Sequence, residues 1–320
     1  MIFEKKVIEI YSSMMLNRCD DNGSVFYFSA DDFPGLEKRP YGFMSSKGYN
    51  LQGYFYSYPD PKPDRLVIFE HGMGGGHRSY MKEIERLCFN GFQVLAYDHS
   101  GCMESEGDTT GGLAQSLCDL NDVIKALRKD ETYKNTDISV VGHSWGGFST
   151  MNISSLHSDI SHLVVISGFV SVEKMINSFF SGILKPYRKC IMDIERKSNP
   201  DFVNSDGAEV LKNTNAKVLL VYSDNDTLCK KEVHFDELKE KLSDRENITF
   251  LLENNKGHNP NFTSDAVKYK DDFFAVFKKK MKKKELEAEE QKEKFRNSYD
   301  WQRMTCQDER VWKEIIKALE

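Results

Sequence analysis

Four short segments of this 320-residue chain carry side chains suited to acyl-transfer chemistry. The sharpest is Gly142-His143-Ser144-Trp145-Gly146-Gly147. It has the form G-x-S-x-G, follows an apolar run at 138–141, and precedes a stretch with Met151 and Ile153 that reads as a helix. The two outer glycines give a serine room on a tight strand-to-helix turn with unusual backbone angles. The helix that follows aims its N–H groups and positive dipole end at the place where an anion would develop. Ser144 is therefore a candidate nucleophile; on the hexapeptide alone, a serine in an ordinary glycine turn is the plain alternative.

The second segment is His71-Gly72-Met73-Gly74-Gly75-Gly76, directly after the run 66–69. An attacked ester carbonyl becomes an oxyanion that needs two fixed N–H donors. The backbone N–H of Trp145, just after the serine, supplies one, and that of Met73, after His-Gly, is the candidate for the other. A phosphate-binding loop is disfavoured because no Gly-Lys-Ser/Thr follows. The third segment, Val221-Tyr222-Ser223-Asp224-Asn225-Asp226, offers two acids after a later apolar run. Asp226 lies further into the loop, where it can turn back toward a histidine, whereas Asp224 could cap the turn. The fourth is His258, in a polar loop after the last apolar run and one of eight histidines. A lone loop histidine is usually plain surface. Here serine, acid and histidine occur in that chain order, each after its own strand, which is the order that goes with a G-x-S-x-G elbow on a doubly wound sheet.

The elements that must position these residues are legible as short runs. Residues 65–69, 92–97, 138–142, 163–167, 217–222 and 248–252 are nearly continuous in Val, Ile, Leu and Phe, which predicts parallel strands buried on both faces. Amphipathic stretches lie between them, with Met81, Ile84, Leu87 and Cys88 on one stripe and Leu113, Leu117, Leu120, Ile124 and Leu127 on another. Alternation of this kind predicts a doubly wound sheet. Segments 41–45 and 51–58 around Ser46-Lys47-Gly48 read as a hairpin that adds antiparallel strands, for about eight in all. The interval 168–213 is too long for one crossover helix. Its stripe of Val172, Met175, Ile176, Phe179, Phe180, Ile183 and Leu184 predicts an inserted helical cap.

His71-Gly72-Met73-Gly74, Gly142-His143-Ser144-Trp145-Gly146-Gly147, Asp226 and Gly257-His258 together resemble an α/β-hydrolase of the monoacylglycerol-lipase-like and serine-aminopeptidase-like branch. The resemblance runs from about 41 to 278. The family's Asp-x-Arg-Gly-x-Gly-x-Ser-x-Gly segment reads here Asp98-His99-Ser100-Gly101-Cys102-Met103-Glu104-Ser105-Glu106-Gly107, so Ser100 replaces the arginine and Met103 displaces the second glycine. The resemblance implies an α/β-hydrolase fold with helices on both faces of a mostly parallel sheet. Its spacing selects Asp226 over Asp224, and it implies a cap over the site. Met175, Phe179 and Phe180 would then line an acyl pocket, or else pack the cap onto the body. The implied activity is hydrolysis of carboxylic esters through an acyl-enzyme on Ser144, with His258 as base and no metal or organic cofactor. An aminopeptidase or amidase acting on small peptides is the alternative. It needs a carboxylate for the substrate ammonium, for which Glu70, Glu104 and Glu106 are the candidates by position. A binding protein on a hydrolase scaffold is a third.

Composition narrows the partners. Net charge is −6, which disfavours a chain-wide nucleic-acid footprint. No apolar window is long enough to span a membrane, and the first residues lack a secretory h-region. Phe3, Val7, Ile10 and Met14 recur at helical spacing and predict a docking helix. The seven cysteines are scattered without a CxxC pair, so reduced thiols and a cytoplasmic location are expected, with a small ester or peptide as substrate. The chain divides into an N-terminal segment at 1–40, the hydrolase core at 41–277 and a charged helical extension at 278–320. The extension nets +3 and leaves −9 on the rest. Its lysines at 278–284 predict a solvated helix, with an anionic membrane or nucleic acid as the other reading. Val311, Ile315 and Leu319 share a face that should dock on the body or on a second copy of this chain.

Overall fold

A strand apolar on both sides is stable only when helices cover both faces of its sheet. The computed structural model, which describes residues 2–320, realises this arrangement. Eight strands form one sheet: β1 (Glu37–Met44), β2 (Asn50–Ser57), β3 (Arg65–Glu70), β4 (Gln93–Tyr97), β5 (Asp137–His143), β6 (His162–Ile166), β7 (Lys217–Ser223) and β8 (Ile248–Glu253). Their order is β1-β2-β4-β3-β5-β6-β7-β8. β2 runs antiparallel to β1 and β4, and all later neighbours are parallel. Alternation along single strands divides the core. Leu66 and Ile68 of β3, with Val218 and Leu220 of β7, face the helices Gln115–Lys129 and Trp145–Asn152. Val67 and Phe69, with Leu219 and Val221, face Met81–Phe89, Ser264–Lys282 and Glu309–Ala318.

The extension is part of that second face. Val311, Trp312, Ile315 and Leu319 are fully buried against it, and the helix Glu309–Ala318 contacts β6 and β7. The terminal helix therefore docks on its own body. Its cap residue Asp308 accepts a 2.5 Å hydrogen bond from Lys256, whose Nζ also donates to the Phe262 carbonyl at 2.6 Å. The loop that carries His258 is thereby tied to the C-terminal segment. The lysines at 278–284 lie on a helix end and pair with acids that follow, such as Lys280 with Glu285 at 2.7 Å.

Two apolar stripes are placed differently from the sequence expectation. The N-terminal helix Ile2–Met15 leaves Phe3, Ile10 and Met14 exposed and buries Tyr11, with Val7, Ile8 and Met15 partly covered. Its rotation is set by Tyr11, whose hydroxyl donates to the buried Glu195 carboxylate at 2.5 Å. In the cap, the stripe stops at Phe179, the last residue of the helix Val172–Phe179. Gly182 then takes φ = 58° and Pro186 follows, so the chain continues as a short 3-10 turn with Ile183 and Leu184 exposed. Arg188 satisfies the freed carbonyls of Phe180 and Asn177, each at 2.7 Å. The helix Arg188–Ser198 completes the cap, while Gly207–Leu211 packs against the body. Strand β1 begins at Glu37, so the sheet starts a few residues before position 41. Among the described residues no helix is long and apolar enough to cross a membrane.

Candidate active site

Ser144 sits between β5 and the helix Trp145–Asn152 with φ = 57° and ψ = −109°, a conformation costly for a residue bearing a Cβ. The turn closes only because its flanks are bare. A Cβ on Gly142 would lie 2.2 Å from both the Gly146 carbonyl oxygen and Thr150 Oγ1, and one on Gly146 would lie 2.2 Å from the Glu70 carbonyl oxygen. The Ser144 N–H donates to the Ile166 carbonyl at 2.8 Å, fixing the elbow to β6.

The fold brings Ser144, His258 and Asp226 into one line. Ser144 Oγ lies 2.8 Å from His258 Nε2, and His258 Nδ1 lies 2.7 Å from Asp226 Oδ2. The other carboxylate oxygen, Oδ1, accepts the N–H groups of Leu228 at 2.8 Å and Cys229 at 3.1 Å. Burial pushes the Asp226 carboxyl up, but the contacts with His258 and the two N–H groups outweigh it and hold the group below its usual value. An ionised Asp226 fixes the proton on Nδ1, which leaves Nε2 free to take the serine proton. Asp224 is used elsewhere: its Oδ1 accepts the Asn255 N–H at 2.8 Å.

The segment 71–76 wraps over the serine. The His99 N–H donates to His71 Nε2 at 3.0 Å, so Nδ1 carries the proton and donates to the Gly72 carbonyl at 2.8 Å. Burial lowers His71 to about 3, so the ring is neutral. Because a trans peptide is planar, holding the Gly72 C=O turns the Met73 N–H the opposite way. Gly74 follows at φ = 97°. Neither Met73 N–H nor Trp145 N–H has a protein acceptor among the described residues, so both are free to face an oxyanion.

Two residues outside the expected set lock these parts together. The Gly72 N–H donates to the Tyr80 oxygen at 3.0 Å, and the Tyr80 O–H donates to His143 Nδ1 at 2.9 Å. His143 Nε2–H then donates to the His258 carbonyl at 2.8 Å. Burial lowers His143 to about 3, consistent with this neutral tautomer. One chain of hydrogen bonds thus spans the segment 71–76, the elbow and the histidine loop. His143 was visible inside G-H-S-W-G, but nothing in the sequence marked Tyr80.

Beneath the elbow lies a buried charged cluster. His99 stands 3.5 Å from Glu70 and 3.4 Å from Asp119, and its ring packs 4.7 Å from Trp145. Burial alone would lower His99, yet the two carboxylates prevail and its pKa is raised. Ser100, in the position of the family's arginine, donates its N–H and hydroxyl to Asp119, both at 2.8 Å. His99 therefore places an imidazole of raised pKa, flanked by Glu70 and Asp119, beside the position where the arginine is missing. Met103, in place of a glycine, has φ = 44°, and Arg18 braces its carbonyl at 2.6 Å.

A cavity of about 400 Å³ opens over Ser144. Met175 and Phe179 line it, joined by Met14, Met15, Phe169 and Leu228, which sequence reasoning did not place there. Phe180 does not line it. The helix ends one residue earlier, and the Phe180 ring turns to Tyr11 at 6.0 Å. Glu70, Glu104 and Glu106 do not line it either. Glu70 is buried under Ser149, Glu104 holds Tyr54 at 2.6 Å, and Glu106 accepts the Asn50 N–H at 2.8 Å. The carboxylate on the wall is Glu83, which burial raises to about 7.

Sequence spacing shows no metal-ligand cluster, but the fold brings two groups within 4.8 Å: Asp226, Cys229 and His258, and Cys118, Asp119 and Asp122. Their carboxylates already accept hydrogen bonds, Asp226 as above, Asp119 from Ser100 and Gln115, and Asp122 from Ser46.

With this geometry established, comparison with known proteins defines the class. Residues 61–215 match the family model described as serine aminopeptidase, S33. The Pyrococcus furiosus esterase Pf2001 superposes with a TM-score of 0.60 at 20% identity, covering 84% of this chain and 96% of that one. The esterase domain of a Rhodothermus marinus protein gives 0.51 at 14%, over 75% of this chain and 97% of the other. The chain thus has the α/β-hydrolase fold, and residues 61–215 resemble the serine-aminopeptidase branch of that superfamily. Among curated relatives, the uncharacterised protein YqkD of Bacillus subtilis (strain 168) is 27% identical over 143 residues, 45% of each chain. A proline iminopeptidase of Saccharolobus solfataricus is 28% identical over 145 residues, 41% of this chain and 46% of the relative. Each match thus spans less than half of the relative's length.

Proposed function

We propose that the protein is a serine hydrolase that cleaves carboxylic esters with a hydrophobic acyl group. Ser144 attacks the carbonyl as His258 takes its proton, and Asp226 stabilises the imidazolium. The Met73 and Trp145 N–H groups receive the oxyanion. His258 then gives the proton to the departing alcohol, and water repeats the sequence to release the acid. The observation that carries this reading is the apolar wall of Met14, Met15, Phe169, Met175, Phe179 and Leu228 beside the Ser144–His258–Asp226 line. Such a wall favours an acyl chain by the transfer of apolar surface from water.

The second reading is an aminopeptidase, favoured by the family match. It requires an anchor for the substrate ammonium, and Glu83 is the wall carboxylate that could serve. A binding protein that has lost catalysis is a third reading, opposed by the 2.8 Å and 2.7 Å hydrogen bonds of the serine–histidine–aspartate line. The deciding experiment compares p-nitrophenyl esters of increasing chain length with aminoacyl-p-nitroanilides, with Ser144→Ala as control. Ester turnover that the variant abolishes supports the proposal. Turnover confined to the anilides, and lost in Glu83→Gln, replaces it with the peptidase reading.

A further inference from the structure

Past the oxyanion loop, the cavity over Ser144 meets a second compartment of about 250 Å³. The two share residues 72–74, Ser79, Tyr80, Phe262 and Lys270 as a common wall. Their characters differ. The first is apolar on its cap side. The second carries Arg78, Lys82 and Lys270, and no aspartate or glutamate is among its lining residues.

Among the described residues none of these three cations forms an ion pair, and their hydrogen bonds and ring contacts are to neutral groups. Lys270 donates to Asn259 Oδ1 at 2.9 Å and lies 5.2 Å from the Phe262 ring. Lys82 donates to Gln302 and lies 5.1 Å from the Phe28 ring. Arg78 lies 5.7 Å from the Tyr27 ring and has no carboxylate partner among the described residues. Glu83, one residue from Lys82, is hydrogen-bonded to Asn261 at 3.1 Å; it forms no ion pair with Lys270 but attracts it electrostatically, against the burial that lowers the Lys270 pKa. In a chain with 50 acidic residues, Arg78 and Lys82 meet Lys270 on a wall with no acid in ion-pair contact, which leaves counter-charge to a ligand.

The compartment also has a defined side. Asn259, which holds Lys270, follows His258, the group that returns a proton to the leaving alcohol in the reading above. We propose that the compartment is a subsite for an anionic oxygen group, carboxylate or phosphate, on the leaving-group half of the ester. The preferred substrates are then acyl esters of anionic alcohols, with the acyl chain under the cap and the anion against Arg78, Lys82 and Lys270. This rests on the ester-hydrolase reading and narrows its substrate class.

The test uses the full chain and three butyrate esters of matched phenols: 4-methylphenol, 4-hydroxyphenylacetate and 4-hydroxybenzyl phosphate. In low salt, kcat/KM for one or both anionic esters should exceed that of the neutral ester by about tenfold. The anion with the larger gain identifies the source, and 0.5 M NaCl should shrink the gain by screening. Arg78→Gln should reduce the anionic-to-neutral ratio severalfold and Arg78→Lys should retain most of it, while Lys270→Gln should also lower it. The ratio is measured on one preparation, so partial misfolding cancels. A ratio near one in the wild type, or one indifferent to Arg78→Gln, overturns the subsite while leaving Ser144-dependent ester turnover standing. Absence of turnover for all three esters, or turnover that survives Ser144→Ala, overturns the ester reading and the subsite with it.

Discussion

Replacing Tyr80 by phenylalanine isolates the hydrogen-bond chain that joins the oxyanion loop to the histidine loop. The ring and its contact with Phe69, 5.3 Å between centroids, are kept, and only the hydroxyl is lost. That hydroxyl accepts from Gly72 at 3.0 Å and donates to His143 at 2.9 Å. Its removal orphans a donor and an acceptor in a covered site. An unsatisfied buried group costs roughly 1–3 kcal/mol, so the two together should cost about 2–6 kcal/mol of stability. Gly72 also loses one of the two tethers on its backbone, the His71 ring on its carbonyl being the other. Outright loss of an oxyanion donor costs roughly 10²–10³ in kcat, so loosening one should cost about tenfold, with KM little changed. Urea unfolding measures the first quantity and ester hydrolysis under saturating substrate the second. A variant with unchanged unfolding midpoint and kcat within about twofold of wild type would refute the reasoning. A stability loss with intact kcat would confine Tyr80 to a structural role.

Further outcomes follow from neighbouring features. Glu83 is raised from 4.5 to about 7 by burial, so its neutral form favours the folded state. Its contribution is present below about pH 4.5 and is lost as pH rises through about 7, on the order of 3 kcal/mol in all. Glu83→Gln should flatten that part of the stability–pH curve, as read by urea midpoints from pH 4 to 8. Ending the chain at residue 278 removes Trp301, Met304, Val311, Trp312, Ile315 and Leu319 from the core. At about 1.5–3 kcal/mol for each large side chain, the loss rivals the whole stability of a domain, so the truncated chain should not give a cooperative unfolding transition. Phe179→Ala should raise the preferred acyl length in a chain-length series. Phe180→Ala should lower the unfolding midpoint and leave that preference in place, because Phe180 packs on Tyr11 outside the cavity.

What was legible in the sequence was whatever local pattern decides. The six apolar runs became β3 to β8 within a residue or two, because a run buried on both faces has few other structures open to it. The meeting of Ser144, Asp226 and His258 was foreseeable from glycines, chain order and strand ends, with Asp226 chosen over Asp224 by the spacing of the resembled family. Choices made by distant partners were not readable. The N-terminal helix has two overlapping apolar stripes that share Val7, and Glu195, 184 residues from Tyr11, selects one of them. The cap stripe was drawn past Phe179, although Gly182 and Pro186 were visible breakers. Tyr80 carries no motif, and its role exists only once β3 and β5 lie side by side. The basic compartment escaped notice because Arg78, Lys82 and Lys270 are unremarkable until the helix Ser264–Lys282 is folded against the loop after β3.

The most direct measurement is intact-protein and peptide mass spectrometry after exposure to a fluorophosphonate or to a slowly deacylating p-nitrophenyl ester. One covalent adduct is expected, on the peptide containing Ser144, absent in Ser144→Ala and slowed in His258→Ala. An adduct on another residue, or ester turnover that persists in Ser144→Ala, would contradict the assignment of Ser144 as nucleophile.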